Sequence, residues 1–223
     1  MRNSAKVAIF LSVALSGVLA LQAQPGGPTS PRIVSDGTAA GGDACSSCHG
    51  NLGEGSPDGA YPRLAGLDAG YLVKQLDAYR SGSRRHAVME PIAKRLSDQE
   101  AETAARWFAS AAPADTPRQP VDRNLIERGE SIAANGAWDR NIPPCSSCHG
   151  MTGLGVGSAF PALAGQSAPY LASQIHAWRL GWRRNDPMGL MRNVANYLTG
   201  PEVEAVAAYY ASLPPPSPVE RER

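Results

Sequence analysis

The hexapeptide CSSCHG occupies residues 45 to 50 and returns unchanged at 145 to 150. Cys45, Cys48, Cys145 and Cys148 are all four cysteines of the 223-residue chain, and His49 and His149 are half of its histidines. Two thiols separated by two residues can reach the two vinyl groups of one porphyrin, and the histidine that follows can meet its iron; this is the attachment chemistry of a c-type haem. Other chemistries use the same letters. A C-x-x-C pair can be a disulfide or redox couple, and two such units can supply the four ligands of one zinc. A shared zinc would draw both copies onto a single metal and leave each region without a core. The reading adopted is two covalently bound haems c, one per hexapeptide, with His49 and His149 as iron ligands.

The sixth ligand decides what such an iron does, because an open position suits catalysis and a closed one suits electron transfer. Candidates outside the hexapeptides are His86, His176 and the methionines. Met89 begins MEPIAKRLS, seven residues before Leu96, and Met191 begins MRNVANYLT, seven residues before Leu198. Counting instead from the arginine pairs selects Met188, four residues after Arg184, as Met89 is four after Arg85. The downstream count is preferred, since the helix that follows should fix the ligand while a loop absorbs three extra residues. Met89 and Met191 are therefore the expected axial ligands, with Met188 as the alternative. A thioether also suits ordinary core packing, but here it recurs at matching places. His86 is matched by Asn185 and His176 by Asp77, so neither is repeated.

These residues must be positioned by a duplicated scaffold. PRLAGLDAGYLVKQLDAYRSGSRR (62 to 85) lies over PALAGQSAPYLASQIHAWRLGWRR (161 to 184) with 13 identities in 24 ungapped positions. Leu72, Leu76 and Tyr79 fall on one helical face, as do Leu171, Ile175 and Trp178. A second helix in each half is announced by Ser97 with Glu100 and by Thr199 with Glu202, the spacing of a capping box. Trp107, Phe108, Tyr209 and Tyr210 end those helices and should pack on an earlier one. The second half provides it in NLIERGESIAANG (124 to 136); the first has only SDGTAAGGDA before Cys45, so its opening helix should be short or frayed. No strand pattern is evident. The expected organisation is an export signal at 1–23, a flexible segment at 24–40, a first domain at 41–112, a linker at 113–123, a second domain at 124–214 and a disordered tail at 215–223.

Composition limits the function. Arg2 and Lys6 precede the uncharged run Val7 to Leu21, which has the length of a signal core and is short for a bilayer span. An exported, periplasmic protein without a membrane span in its mature chain is expected. Removing that leader leaves 19 basic against 20 acidic side chains, which excludes a nucleic-acid binder. With 6% aromatics, 23 Gly and 19 Pro, the polypeptide core is thin, and a haem would fill it.

In combination, CSSCHG, then YPRLAG or FPALAG, then MEPIAKRLSDQE or MRNVANYLTGPE, resembles the dihaem class I cytochromes c, above all the cytochrome c4 group, over roughly residues 41 to 213. The resemblance implies an all-α fold of two tandem class I cytochrome c domains, each wrapped around one haem, with His and Met axial ligands. It also implies that the carbonyls of Pro62 and Pro161 accept the N–H of His49 and His149, although the same prolines could simply stiffen a turn. Arg84, Arg85, Arg183 and Arg184 could pair with haem propionates or be solvated. The function implied is an electron carrier, not an enzyme, serving a terminal oxidase, a cytochrome bc-type complex or a dehydrogenase. The alternatives are a haem enzyme, either a peroxidase or a thiosulfate-oxidising cytochrome, and a dedicated electron-transfer subunit.

Overall fold

The computed structural model describes residues 30 to 113 and 122 to 216. The expected export signal, most of the linker and residues 217 to 223 of the expected tail lie outside the described residues. The first half contains α1 (Arg32–Ser35), α2 (Ser46–His49), α3 (Ala69–Arg80), α4 (Met89–Arg95) and α5 (Asp98–Ser110). The second contains α6 (Arg123–Asn135), α7 (Ser146–His149), α8 (Ala168–Arg179), α9 (Leu190–Tyr197) and α10 (Gly200–Ser212). Among the described residues there are only isolated β-bridges and no strand, in keeping with the all-α expectation.

Local chemistry accounts for the long helices. Asp68 opens α3 by accepting the Tyr71 N–H at 2.8 Å. Both capping boxes form: the Glu100 carboxylate accepts the Ser97 N–H at 2.8 Å while Ser97 Oγ accepts the Glu100 N–H at 3.2 Å, and the Glu202 carboxylate accepts the Thr199 N–H at 2.8 Å. Helix α10 crosses α6 so closely that a Cβ on Gly129 would stand 2.0 Å from the Ala205 carbonyl oxygen. Phe108 and Tyr210 occupy matching positions in the two cores, at 2% and 1% exposure.

The opening helix of the first half is a single turn, but it is not peripheral. Ile33 and Val34 of α1 are buried against α5 residues including Phe108, so ordered structure begins within the segment expected to be flexible. Two apolar side chains suffice to pin one turn, and neither repeats in the spacing that would have marked a helix. At the other end Pro216 is fully buried, where its carbonyl lies near Gly66.

The halves dock about an approximate two-fold relation visible in paired contacts. The Arg85 N–H donates to the Trp182 carbonyl and the Arg184 N–H donates to the Ser83 carbonyl, each at 2.7 Å. Arg84 reaches across to Tyr170 Oη and Gln174 Oε1 at 2.8 and 2.6 Å, and Arg183 reaches back to Tyr71 Oη and Gln75 Oε1 at 3.1 and 3.0 Å. Arg63 adds an unrepeated clasp: its N–H donates to Gln166 Oε1, and Gln166 Nε2 donates to its carbonyl, both at 3.0 Å.

Candidate haem-binding sites

Each hexapeptide forms one helical turn, α2 or α7, that buries its histidine at 8% and 6% exposure. His49 Nδ1 lies 2.9 Å from the Pro62 carbonyl oxygen and His149 Nδ1 lies 2.8 Å from that of Pro161. A carbonyl can only accept, so Nδ1 carries the proton and Nε2 keeps its lone pair. Burial lowers the pKa of both imidazoles, which preserves that neutral, metal-ready form. The cysteines are not disulfide-bonded. Burial pushes the Cys45 and Cys145 thiols up to about 11, the opposite of the depressed thiol that a redox C-x-x-C pair requires. Among the described residues no three His, Cys, Asp or Glu side chains converge as a metal site, so the shared-zinc arrangement does not form.

Each half forms most of the wall of one cavity, with residues of the other half completing it. The first, of about 490 Å³, is walled by Cys45, Cys48, His49, Leu72, Met89 and Phe108, among others. The second, of about 250 Å³, is walled by Cys145, Cys148, His149, Ile175, Met191 and Tyr210, among others. The structure thus brings each predicted Cys, Cys, His and Met set to one apolar cavity. Met188 is 91% exposed, with φ 59°, and lies outside the second cavity's wall.

Two repeated arginines hold the helices that carry Met89 and Met191 in equivalent positions. Arg80, closing α3, donates to the carbonyls of Ala93 and Leu96 at 2.9 and 2.7 Å. Arg179, closing α8, makes the same two bonds to Ala195 and Leu198. Each clamp therefore fixes the carboxyl end of the helix that starts at Met89 or carries Met191. The three extra residues of the second half fall upstream, in a turn where Met188 and Gly189 are both left-handed. The signal was available: Arg80 and Arg179 are identical positions of the internal repeat.

The remaining candidates separate cleanly. His86 stands in the first cavity's wall, but its Nδ1 accepts the Met89 N–H at 3.3 Å, so that lone pair is engaged. His176 is exposed on α8 and borders neither cavity. Arg85 and Arg184 are exposed, whereas Arg84 and Arg183 are buried between the halves at 5% and 4% exposure. Arg84 lies over the Tyr79 ring and Arg183 over the Trp178 ring, at 4.7 and 4.0 Å.

Arg84 borders the first cavity and Arg183 borders both. Their side-chain partners are amide and hydroxyl oxygens, with no carboxylate among the described residues. Burial, and then the charge of Arg84, push the Arg183 guanidinium below its ordinary value, though it stays charged. Two buried cations without a counter-charge are costly, and they fit a ligand that brings carboxylates. The buried Trp178 Nε1, which also lacks a partner, fits the same ligand. An apolar, thiol- and imidazole-bearing cavity with cations at its edge suits haem.

The cytochrome c family model matches residues 34–112 and again 126–214. The chain is 46% identical over 170 residues to a thiosulfate dehydrogenase electron acceptor of Stutzerimonas stutzeri, covering 76% of this chain and 79% of that protein. It superposes with a TM-score of 0.76 and 40% identity on thiosulfate dehydrogenase (TsdBA) from Marichromatium purpuratum, covering 82% of this chain but only 39% of that longer one. Reduced cytochrome c4 from Pseudomonas stutzeri superposes with a TM-score of 0.70 and 34% identity, covering 76% of this chain and 93% of the other. Two matched repeats, two hexapeptides and two apolar cavities bearing their thiols and imidazoles agree: the chain belongs to the cytochrome c family, as a cytochrome c4-like carrier of electrons with two covalently bound haems c.

Proposed function

We propose that this protein accepts electrons from a thiosulfate dehydrogenase in the periplasm and passes them singly to a membrane-bound oxidase or a comparable acceptor. The observation that carries this reading is the 46% identity, spread over both halves, to a protein named for that role. Haem supplies at each site an iron that alternates between two oxidation states one electron apart.

In this reading Cys45 and Cys48 tether one haem and Cys145 and Cys148 the other. His49 and His149 present Nε2 to the iron, held by the carbonyls of Pro62 and Pro161. Met89 and Met191 offer the sixth ligand, a soft neutral sulfur that favours the reduced metal and raises its potential. Arg84 and Arg183 hold haem carboxylates between the halves, where each side chain also grips the opposite half. A histidine and a methionine at each haem would leave the iron no open position, which would favour electron transfer over peroxidase or thiosulfate chemistry on this chain. Among the described residues no helix is long and apolar enough to cross a membrane. Purified oxidised protein mixed with thiosulfate and a thiosulfate dehydrogenase should take up two electrons per chain; no reduction, or reduction by thiosulfate without the dehydrogenase, refutes the assignment.

A further inference from the structure

The repeat breaks at two places that the fold does not require. RSGSRR (80 to 85) in the first half becomes RLGWRR (179 to 184) in the second, so Leu180 and Trp182 stand where Ser81 and Ser83 stand. The serines serve the turn, each hydroxyl donating to the Ala78 carbonyl. Leu180 and Trp182 are instead 60% and 56% exposed, so most of their apolar surface is left in water. Trp182 nonetheless forms part of the wall of the first cavity, across the domain boundary, as does Val88, which is 50% exposed. Ser83 does not enter the wall of the second cavity. Trp182 is thus both exposed and part of the first cavity's wall, a combination its counterpart Ser83 does not repeat at the second.

The bridge beside it carries two exposed cations. The Arg85 N–H donates to the Trp182 carbonyl, and the Arg184 N–H donates to the Ser83 carbonyl in the same bridge. Both arginine side chains are exposed, and neither forms an ion pair among the described residues. With the mature chain close to neutral, such a local cluster sets the polarity of docking. Exposed Trp and Arg are also the residue types that most often dominate binding energy at an interface. We infer that the exposed Trp182, Leu180 and Val88, with Arg85 and Arg184 at the rim, form the surface on which the electron-donating dehydrogenase docks over the first haem site. Its partner face is an apolar centre bordered by acidic side chains. This inference rests on the proposed function.

Stopped-flow reduction by thiosulfate-reduced dehydrogenase tests it, using the full dihaem protein with Trp182→Ser, which restores the first half's residue, and separately with Arg85→Glu plus Arg184→Glu. Each variant should lose about tenfold in second-order rate constant, and the charge variant should also lose the slowing that added salt causes in the wild type. Unchanged reduction potentials of both haems would show that docking, and not the metal sites, has been altered. Wild-type rates in both variants overturn the inference. A wild-type protein that the dehydrogenase leaves oxidised refutes the proposed function instead. The rim is then read from oxidation of the reduced protein by ferricyanide against the cationic tris(phenanthroline)cobalt(III): slower reaction of the charge variant with the anion alone supports it, and equal rates overturn it.

Discussion

Replacing Arg179 by Met keeps the length and apolar stem of the side chain but removes the clamp on α9. Two charge-assisted bonds are lost, to the carbonyls of Ala195 and Leu198. Leu198 is itself buried at 5% exposure and Ala195 at 0%, so water replaces those bonds poorly. At about 1.5 kcal/mol for each bond to a charged donor, the loss is about 3 kcal/mol, or about a hundredfold in the equilibrium that releases the end of α9. Met191 lies in the first turn of that helix, so the same release should detach its sulfur. The assay is the Met-to-iron charge-transfer band of the oxidised protein, followed against pH and denaturant. Arg179→Met should lose half of the band's intensity well before the wild type does, while the half that belongs to Met89 persists. Arg80→Met should do the reverse, since Arg80 makes the equivalent bonds and its added pairs with Asp77 and Asp98 involve exposed carboxylates that contribute little. A variant at 179 with a wild-type band and wild-type unfolding midpoint would refute the clamp.

Met191→Ala should abolish one such band and Met188→Ala should leave both, as absorption spectra of the two variants will show; the opposite pattern would overturn the register. Gly129→Ala gains about 1 kcal/mol in helix propensity, yet its Cβ would meet the Ala205 carbonyl oxygen at 2.0 Å. Overpacking against backbone outweighs that gain, so calorimetry should record a net loss of about 2 kcal/mol, and a rise in midpoint would contradict the packing. Glu202 is held down to about 2 from its ordinary 4.5, first by its hydrogen bond from Arg140. Its folded value is depressed, so its stabilisation is complete above about pH 4.5 and is lost as pH falls towards 2. With both side chains partly in solvent, at 34% and 21% exposure, water screens the pair and its contribution is small. Arg140→Gln should therefore raise the midpoint of acid unfolding, and an unchanged acid titration would count against the pair.

The chemistry-bearing residues were legible because each is read from local spacing. Two hexapeptides, two capping boxes and two methionines at equal distance from a leucine are properties of short stretches, and the duplication tests each against its copy. What the sequence concealed depends on how the halves meet. Arg84 and Arg85 are neighbours in a polar turn with no periodicity, and nothing local distinguishes the buried one from the solvated one. Only docking turns Arg84 towards Tyr170 and Gln174 and leaves Arg85 in water. The exposed Trp182 is hidden for the same reason, since its contact with the first cavity belongs to the other half. Helix α1 was expected only as a short or frayed opening helix, because a single turn shows no repeat; Ile33 and Val34 matter through burial alone. Arg80 and Arg179 were visible as repeated residues, but their role requires knowing that α3 and α8 end beside the carbonyls of the next helix.

An electron carrier of this kind needs both irons closed, each by one histidine and one methionine. Near-infrared magnetic circular dichroism of the oxidised protein counts low-spin haem by ligand type. The expected result is two His/Met centres per chain with no high-spin signal. One His/Met centre beside a high-spin or bis-histidine haem would contradict it.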